Sequence, residues 1–152
     1  MTKLLRFAAI SVCLTAVLPI GISVLAQDTS AAGRWKTVDD RTGQVKSIVL
    51  IENVGGEFRG RVERIFAPPA KEANPLCEKC QGELRNKPVL GMQIMWGLKR
   101  NGDQYTGGRV MDPEDGKTYR CRLRVIDGGK KLEVRGFIGI SLIGRTQTWI
   151  RE

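Results

Sequence analysis

Along residues 117–126, Tyr119, Cys121, Leu123 and Val125 alternate with Thr118, Arg120, Arg122 and Arg124, so one face is apolar and the other basic. A repeat of two is the period of an extended strand, whose side chains point alternately to either side of a sheet. Similar segments, rich in β-branched and aromatic residues, place strands at 33–38, 44–52, 57–66, 89–99, 104–111, 130–138 and 144–151. Between them stand D-D-R-T-G, N-V-G-G, N-G-D, D-P-E-D-G and D-G-G, all of which favour tight turns. Helical periodicity is hard to find. Eight strands joined mostly by hairpins make an antiparallel meander.

Such a sheet must hide its apolar face. Met92, Ile94, Trp96 and Leu98 form a second apolar row, and Leu132, Val134 and Gly136 a third, with no helical layer to cover them. Curling the sheet until its first and last strands meet removes both open edges and gathers every row into one interior. Glycines inside strands, such as Gly60, Gly97 and Gly107, permit the bending this requires. The expected fold is therefore all-β, an eight-stranded antiparallel up-and-down barrel. A two-sheet sandwich is the competing arrangement.

The amino terminus follows a different pattern. Lys3 and Arg6 precede an apolar run from Phe7, and Val24-Leu25-Ala26 supplies the small residues of a cleavage site. Residues 1–26 read as a signal peptide, helical ahead of the barrel, followed by a polar leader at 27–32 and a single barrel domain at 33–152. Pro19 and Gly21 interrupt the run and no basic stop-transfer cluster follows, so no stable membrane span is expected after cleavage. The expected location is periplasmic or secreted. Of 152 residues about 126 remain, one domain by length. The formal charge of +9 falls to about +7 when Lys3 and Arg6 leave. That excess suits acidic surfaces or anionic ligands. No nucleic-acid motif accompanies it, so nucleic acid is not an expected partner.

Histidine is absent from the chain, which removes the commonest general base and the commonest transition-metal ligand together. Ser47 and Ser141 have no histidine to activate them. Asp112, Glu114 and Asp115 in M-D-P-E-D-G-K, like Asp39 and Asp40 before R-T-G, fit hairpin turns better than a cation site or paired acid-base chemistry. No enzyme activity, metal or other cofactor is expected.

The longest connection, 67–88, is proline-rich and polar and contains C-E-K-C at 77–80. Zinc would want four ligands, and only Cys121 is left as a third thiolate in the exported chain. Thiol exchange is the sharper rival, but its active pair opens a helix, and Q-G-E-L-R-N-K-P after Cys80 reads as loop. Export to an oxidising compartment points to a Cys77–Cys80 disulfide that staples the loop. Cys121, on the apolar face of its strand, reads as a buried free thiol.

G-R-W-K-T, K-S-I-V-L-I, P-L-C-E-K-C, K-P-V-L-G-M-Q-I-M, Y-T-G-G-R-V-M-D-P-E-D-G-K-T-Y-R-C and V-R-G-F-I-G-I-S-L-I-G-R-T-Q-T-W-I-R together resemble the bacterial exported family known as domain of unknown function 2147. The resemblance spans nearly all of the exported chain and implies a lipocalin-like barrel without established chemistry. Gly33-x-Trp35 is similar to the lipocalin G-x-W, whose indole closes the base of the barrel beneath an arginine of the last strand. Arg145 or Arg151 would take that place. The chain departs from lipocalins in lacking their middle motif and room for a flanking helix.

The expected function is binding of a small hydrophobic or anionic acyl-like ligand in a lumen lined by Met92, Ile94, Trp96, Tyr105, Tyr119, Leu123 and Val134. Arg109, if it shares the inward face with Tyr105 and Met111, would pair with a carboxylate head group. The alternative is a non-catalytic envelope interaction module that uses the 67–88 loop or the basic face of Arg120, Arg122 and Arg124. The sequence names no protein partner.

Overall fold

The computed structural model describes residues 29–66, 73–140 and 142–152. Its strands are β1 (Gly33–Val38), β2 (Val45–Val54), β3 (Glu57–Ile65), β4 (Gln93–Asn101), β5 (Gln104–Asp112), β6 (Lys117–Ile126), β7 (Lys131–Phe137) and β8 (Gly144–Arg151). Each strand pairs antiparallel with the next, and β1 pairs with β8 through Trp35↔Arg151 and Lys36↔Ile150, which closes the barrel and excludes the sandwich. The expected signal peptide at 1–26 and the first two residues of the leader lie outside the described residues.

Inward residues of successive strands form one continuous core that includes Trp35, Ile51, Phe58, Met95, Leu98, Tyr105, Leu123, Leu132 and Trp149. Burying each of the larger side chains removes apolar surface worth roughly 1.5–3 kcal/mol from water. Phe58 and Tyr105 meet edge to face with ring centroids 4.6 Å apart. Met95 lies flat over Gly60, where a Cβ would sit 3.1 Å from its own Cβ.

Two bulges alter the expected phase. Gly97 (φ +74) lies between Met95 and Leu98, so both of these face the core although they are three residues apart. Its amide is satisfied by Glu57 Oε1 at 2.9 Å. Gly107 (φ +82) does the same on β5, where the register shifts between Tyr105 and Gly108. The expected row of Met92, Ile94, Trp96 and Leu98 therefore does not keep strict alternation: Met95 joins Leu98 in the core, Met92 and Ile94 are buried, and Trp96 packs half-buried against them, with a further register shift at Ile94. Met92 precedes β4, because the chain turns at Gly91 (φ +83) with Met92 N–H bonded to Val89 carbonyl at 3.1 Å. That turn is why the fourth strand starts at Gln93 instead of 89.

Candidate functional site

The two ends of the barrel are built differently. At the end where β1 begins and β8 finishes, the Arg151 guanidinium lies 4.2 Å from the centre of the Trp35 ring. It donates to the carbonyls of Ser30 at 2.7 Å, Ala32 at 3.2 Å and Gly129 at 2.5 Å. Gly33 leaves room for it, since a Cβ there would stand 2.7 Å from Arg151 Nη1. Ala31, expected to be part of a polar leader, is fully buried. Its N–H donates to Tyr105 Oη at 3.0 Å and its carbonyl accepts from Trp35 Nε1 at 2.9 Å. Arg151 thus stacks on Trp35 close beside Gly33 and ties the leader and the β6–β7 turn to this end. Arg145 does not join them: it lies at the other end of β8 and pairs with Asp40 of the β1–β2 turn, Nε to Oδ2 2.9 Å.

The opposite end carries the longer connections and a polar inner lining. Thr37 and Ser47, which follow Trp35 and Val49 in inward register, share a hydrogen bond of 2.7 Å. Gln147, paired with inward Val134, accepts from Trp149 Nε1 at 3.4 Å. Tyr119 donates its hydroxyl to Asp115, and that bond raises its pKa to about 12. Asp112 is pushed above the usual carboxylate range chiefly by burial, with Asp115 and Glu114 adding to the shift, against the Glu114 N–H and Lys46. The acids of this turn are engaged within it. Asp112 accepts the Glu114 N–H at 2.9 Å, Asp115 accepts the Lys117 N–H at 2.8 Å, and Glu114 pairs with Lys46. They form a hairpin, as their spacing suggested, and among the described residues no cluster of three acidic or cysteine side chains has the arrangement of a metal site.

Of the residues expected to line the lumen, Met92, Ile94, Tyr105, Leu123 and Val134 are buried in the core, and Trp96 packs half-buried against it. Tyr119 faces inward nearer the polar end. Arg109 does not, because the Gly107 bulge turns it to the exposed outer face opposite Trp96 in register. Arg145, at the polar end and on the inward register of Gly136, is the arginine that sequence reasoning missed for that position. The signal that could have found it is its spacing of four and six residues from Trp149 and Arg151, an even step along one strand.

Cys77 and Cys80 form a disulfide with Cα atoms 5.3 Å apart. The segment around them is held by a Leu76↔Pro88 bridge and by the Cys77 N–H on Lys87 carbonyl at 2.9 Å. It packs on the rim of β5, where Cys80 Sγ lies 3.6 Å from Met111 Sδ. Cys121 is a buried free thiol, its pKa pushed up to about 12 by burial.

Two concavities flank this end. One of about 410 Å³ lies between Cys80, Leu84, Met111, Thr118 and Ile138. The other, about 270 Å³, lies on the outer face of β6 and β7 beside Arg122, Arg124, Arg135 and Leu142.

Residues 33–151 match the family model described as Uncharacterized protein conserved in bacteria (DUF2147). No curated protein matches the chain. Among solved structures, protein HP1028 from the human pathogen Helicobacter pylori, described as belonging to the lipocalin family, is similar with a TM-score of 0.68 and 23% identity, covering 81% of this chain and 83% of its own. At that identity the likeness establishes the lipocalin-like fold.

Proposed function

The chain belongs to the bacterial family Uncharacterized protein conserved in bacteria (DUF2147), and from its one-ended barrel we propose an exported, non-catalytic protein that binds a small apolar or acyl-like ligand. The observation that carries this reading is the asymmetry of the barrel. Trp35, Ala31 and Arg151 seal the base, while the far end sets Thr37, Ser47, Gln147 and Tyr119 above an apolar floor. An acyl tail would enter from that end, with its head group against the polar ring and Arg145. A medium-length tail gains about 0.8 kcal/mol for each methylene buried, before the costs of association, which sets affinity on the order of micromolar. The lack of histidine supports a non-catalytic role. The Cys77–Cys80 disulfide supports an oxidising compartment, the periplasm or the exterior.

Native mass spectrometry of the protein purified from its own host tests the proposal. A retained small molecule that organic solvent releases is the expected result, together with a higher melting temperature on adding medium-length fatty acids. Arg145→Gln is expected to weaken binding of the acid several-fold and of the matching alcohol hardly at all. A protein that is empty as isolated and melts unchanged with every acid tested would overturn the reading. Co-purification of an envelope protein in place of a small molecule would favour an interaction module.

A further inference from the structure

The β7–β8 loop is the most apolar surface among the described residues. Ile138, Ile140, Leu142 and Ile143 are 65%, 62%, 83% and 68% exposed within six positions of one another. Large aliphatic side chains grouped in this way on a surface mark a docking site. The loop is braced from below: Arg120 donates to Gly139 carbonyl at 3.0 Å, and Arg135 to Leu142 carbonyl at 3.4 Å. Within it the Ile143 N–H bonds to Ile140 carbonyl at 3.2 Å. These backbone bonds leave the side chains turned outward on a supported tip.

Positive charge outweighs negative beside the tip, although Glu133 also lines the hollow there and Arg124 pairs with Asp103 at 3.2 Å. Glu133 is the sole acid of strands β6, β7 and β8, which otherwise carry Arg120, Arg122, Arg124 and Arg135 on the outer face next to the loop. The concavity of about 270 Å³ between Arg122, Arg124 and Arg135 reaches up to Leu142, so an anion-sized hollow adjoins the aliphatic tip. Aliphatic side chains at a tip with guanidinium groups set just behind them complement a lipid interface, where acyl chains lie beneath phosphate. A second copy of this chain would bring the same positive face against itself, which disfavours it as the occupant.

We propose that this loop docks the protein on an anionic phospholipid bilayer, with Ile140, Leu142 and Ile143 entering the acyl boundary and Arg122 and Arg135 meeting the headgroup phosphates. The inference does not depend on whether the barrel holds a ligand.

Leu142→Trp places a reporter at the tip. Mixed with phosphatidylcholine vesicles containing phosphatidylglycerol, the protein as its host processes it is expected to show a blue-shifted emission from that indole, quenched by brominated lipid. Omitting phosphatidylglycerol or raising the salt is expected to lower vesicle binding about tenfold, since headgroup attraction is screened within a Debye length. Arg122→Glu, at a half-buried position on the outer face of β6, is expected to lower binding by several-fold. Soluble glycerophosphoglycerol at matched concentration is expected not to compete. Absence of quenching at position 142 on anionic vesicles would overturn the proposal. So would equal binding with and without phosphatidylglycerol, or full competition by the soluble head group. A concentration-dependent dimer abolished by Leu142→Ser, or capture of an acidic protein in place of vesicles, would assign the loop to that occupant and overturn it equally.

Discussion

Gly33 shows how one missing side chain governs a site. Its φ of +130 and the 2.7 Å separation between a would-be Cβ and Arg151 Nη1 make alanine costly twice, through backbone strain and through displacement of the guanidinium from Trp35. Gly33→Ala is expected to lower unfolding free energy by about 1–3 kcal/mol, read as a shift of the urea midpoint. Asp112 makes a prediction of opposite sign. Its folded pKa is raised, so the folded state binds a proton more readily than the unfolded state and stability falls as pH rises through the raised value. Asp112→Asn keeps an oxygen for the Glu114 N–H, and melting curves are expected to show it more stable than the parent at neutral pH. The difference should close below the ordinary carboxylate range. Glu57 is the counterexample: Arg59 and the Gly97 amide hold its pKa down, so its contribution is present at neutral pH and lost on acidification. At this scale the buried Cys121 was legible from the period of its own strand, and the G-x-W glycine from its likeness to the lipocalin motif. The charge partner of Arg145 was not, since Asp40 is brought to it by closure of the barrel.

Strands and their turns were the most legible level, and the exceptions share a cause. Alternation finds a strand but cannot follow its phase through a bulge, and Gly97 and Gly107 each insert a residue that reverses everything beyond it. The facing of Arg109, open in the sequence for that reason, is outward, opposite Trp96 in register. The disulfide segment is a further element whose role is local. Its ring is small, so replacing both Cys77 and Cys80 with serine is expected to cost about 2 kcal/mol at most while the far-ultraviolet spectrum of the barrel persists. Limited proteolysis near Lys79 and Lys87 should accelerate as the segment loosens. Gly116 holds the same segment from the other side, with the Lys79 carbonyl filling the place where a Cβ would stand. Gly116→Ala is expected to produce the same proteolytic sensitivity with the disulfide intact, and resistance to cleavage there would contradict the packing described.

At the scale of the molecule, the sum of strand twists and apolar rows made a closed barrel readable from the chain. The separation of a sealed base from a polar end was not, because it depends on which loops lie together after closure. Leader residue Ala31 reads as an unremarkable small residue, yet it is fully buried in the base between Tyr105 and Trp35.

Closure joins β1 to β8, and the guanidinium that locks β1 belongs to Arg151 at the end of β8. A strand made early in synthesis therefore waits for one made last, and most of its loop-closure entropy is offset only then. Until β8 is in place β1 has a partner on one side only, so the sheet keeps two unpaired edges open to wrong pairing.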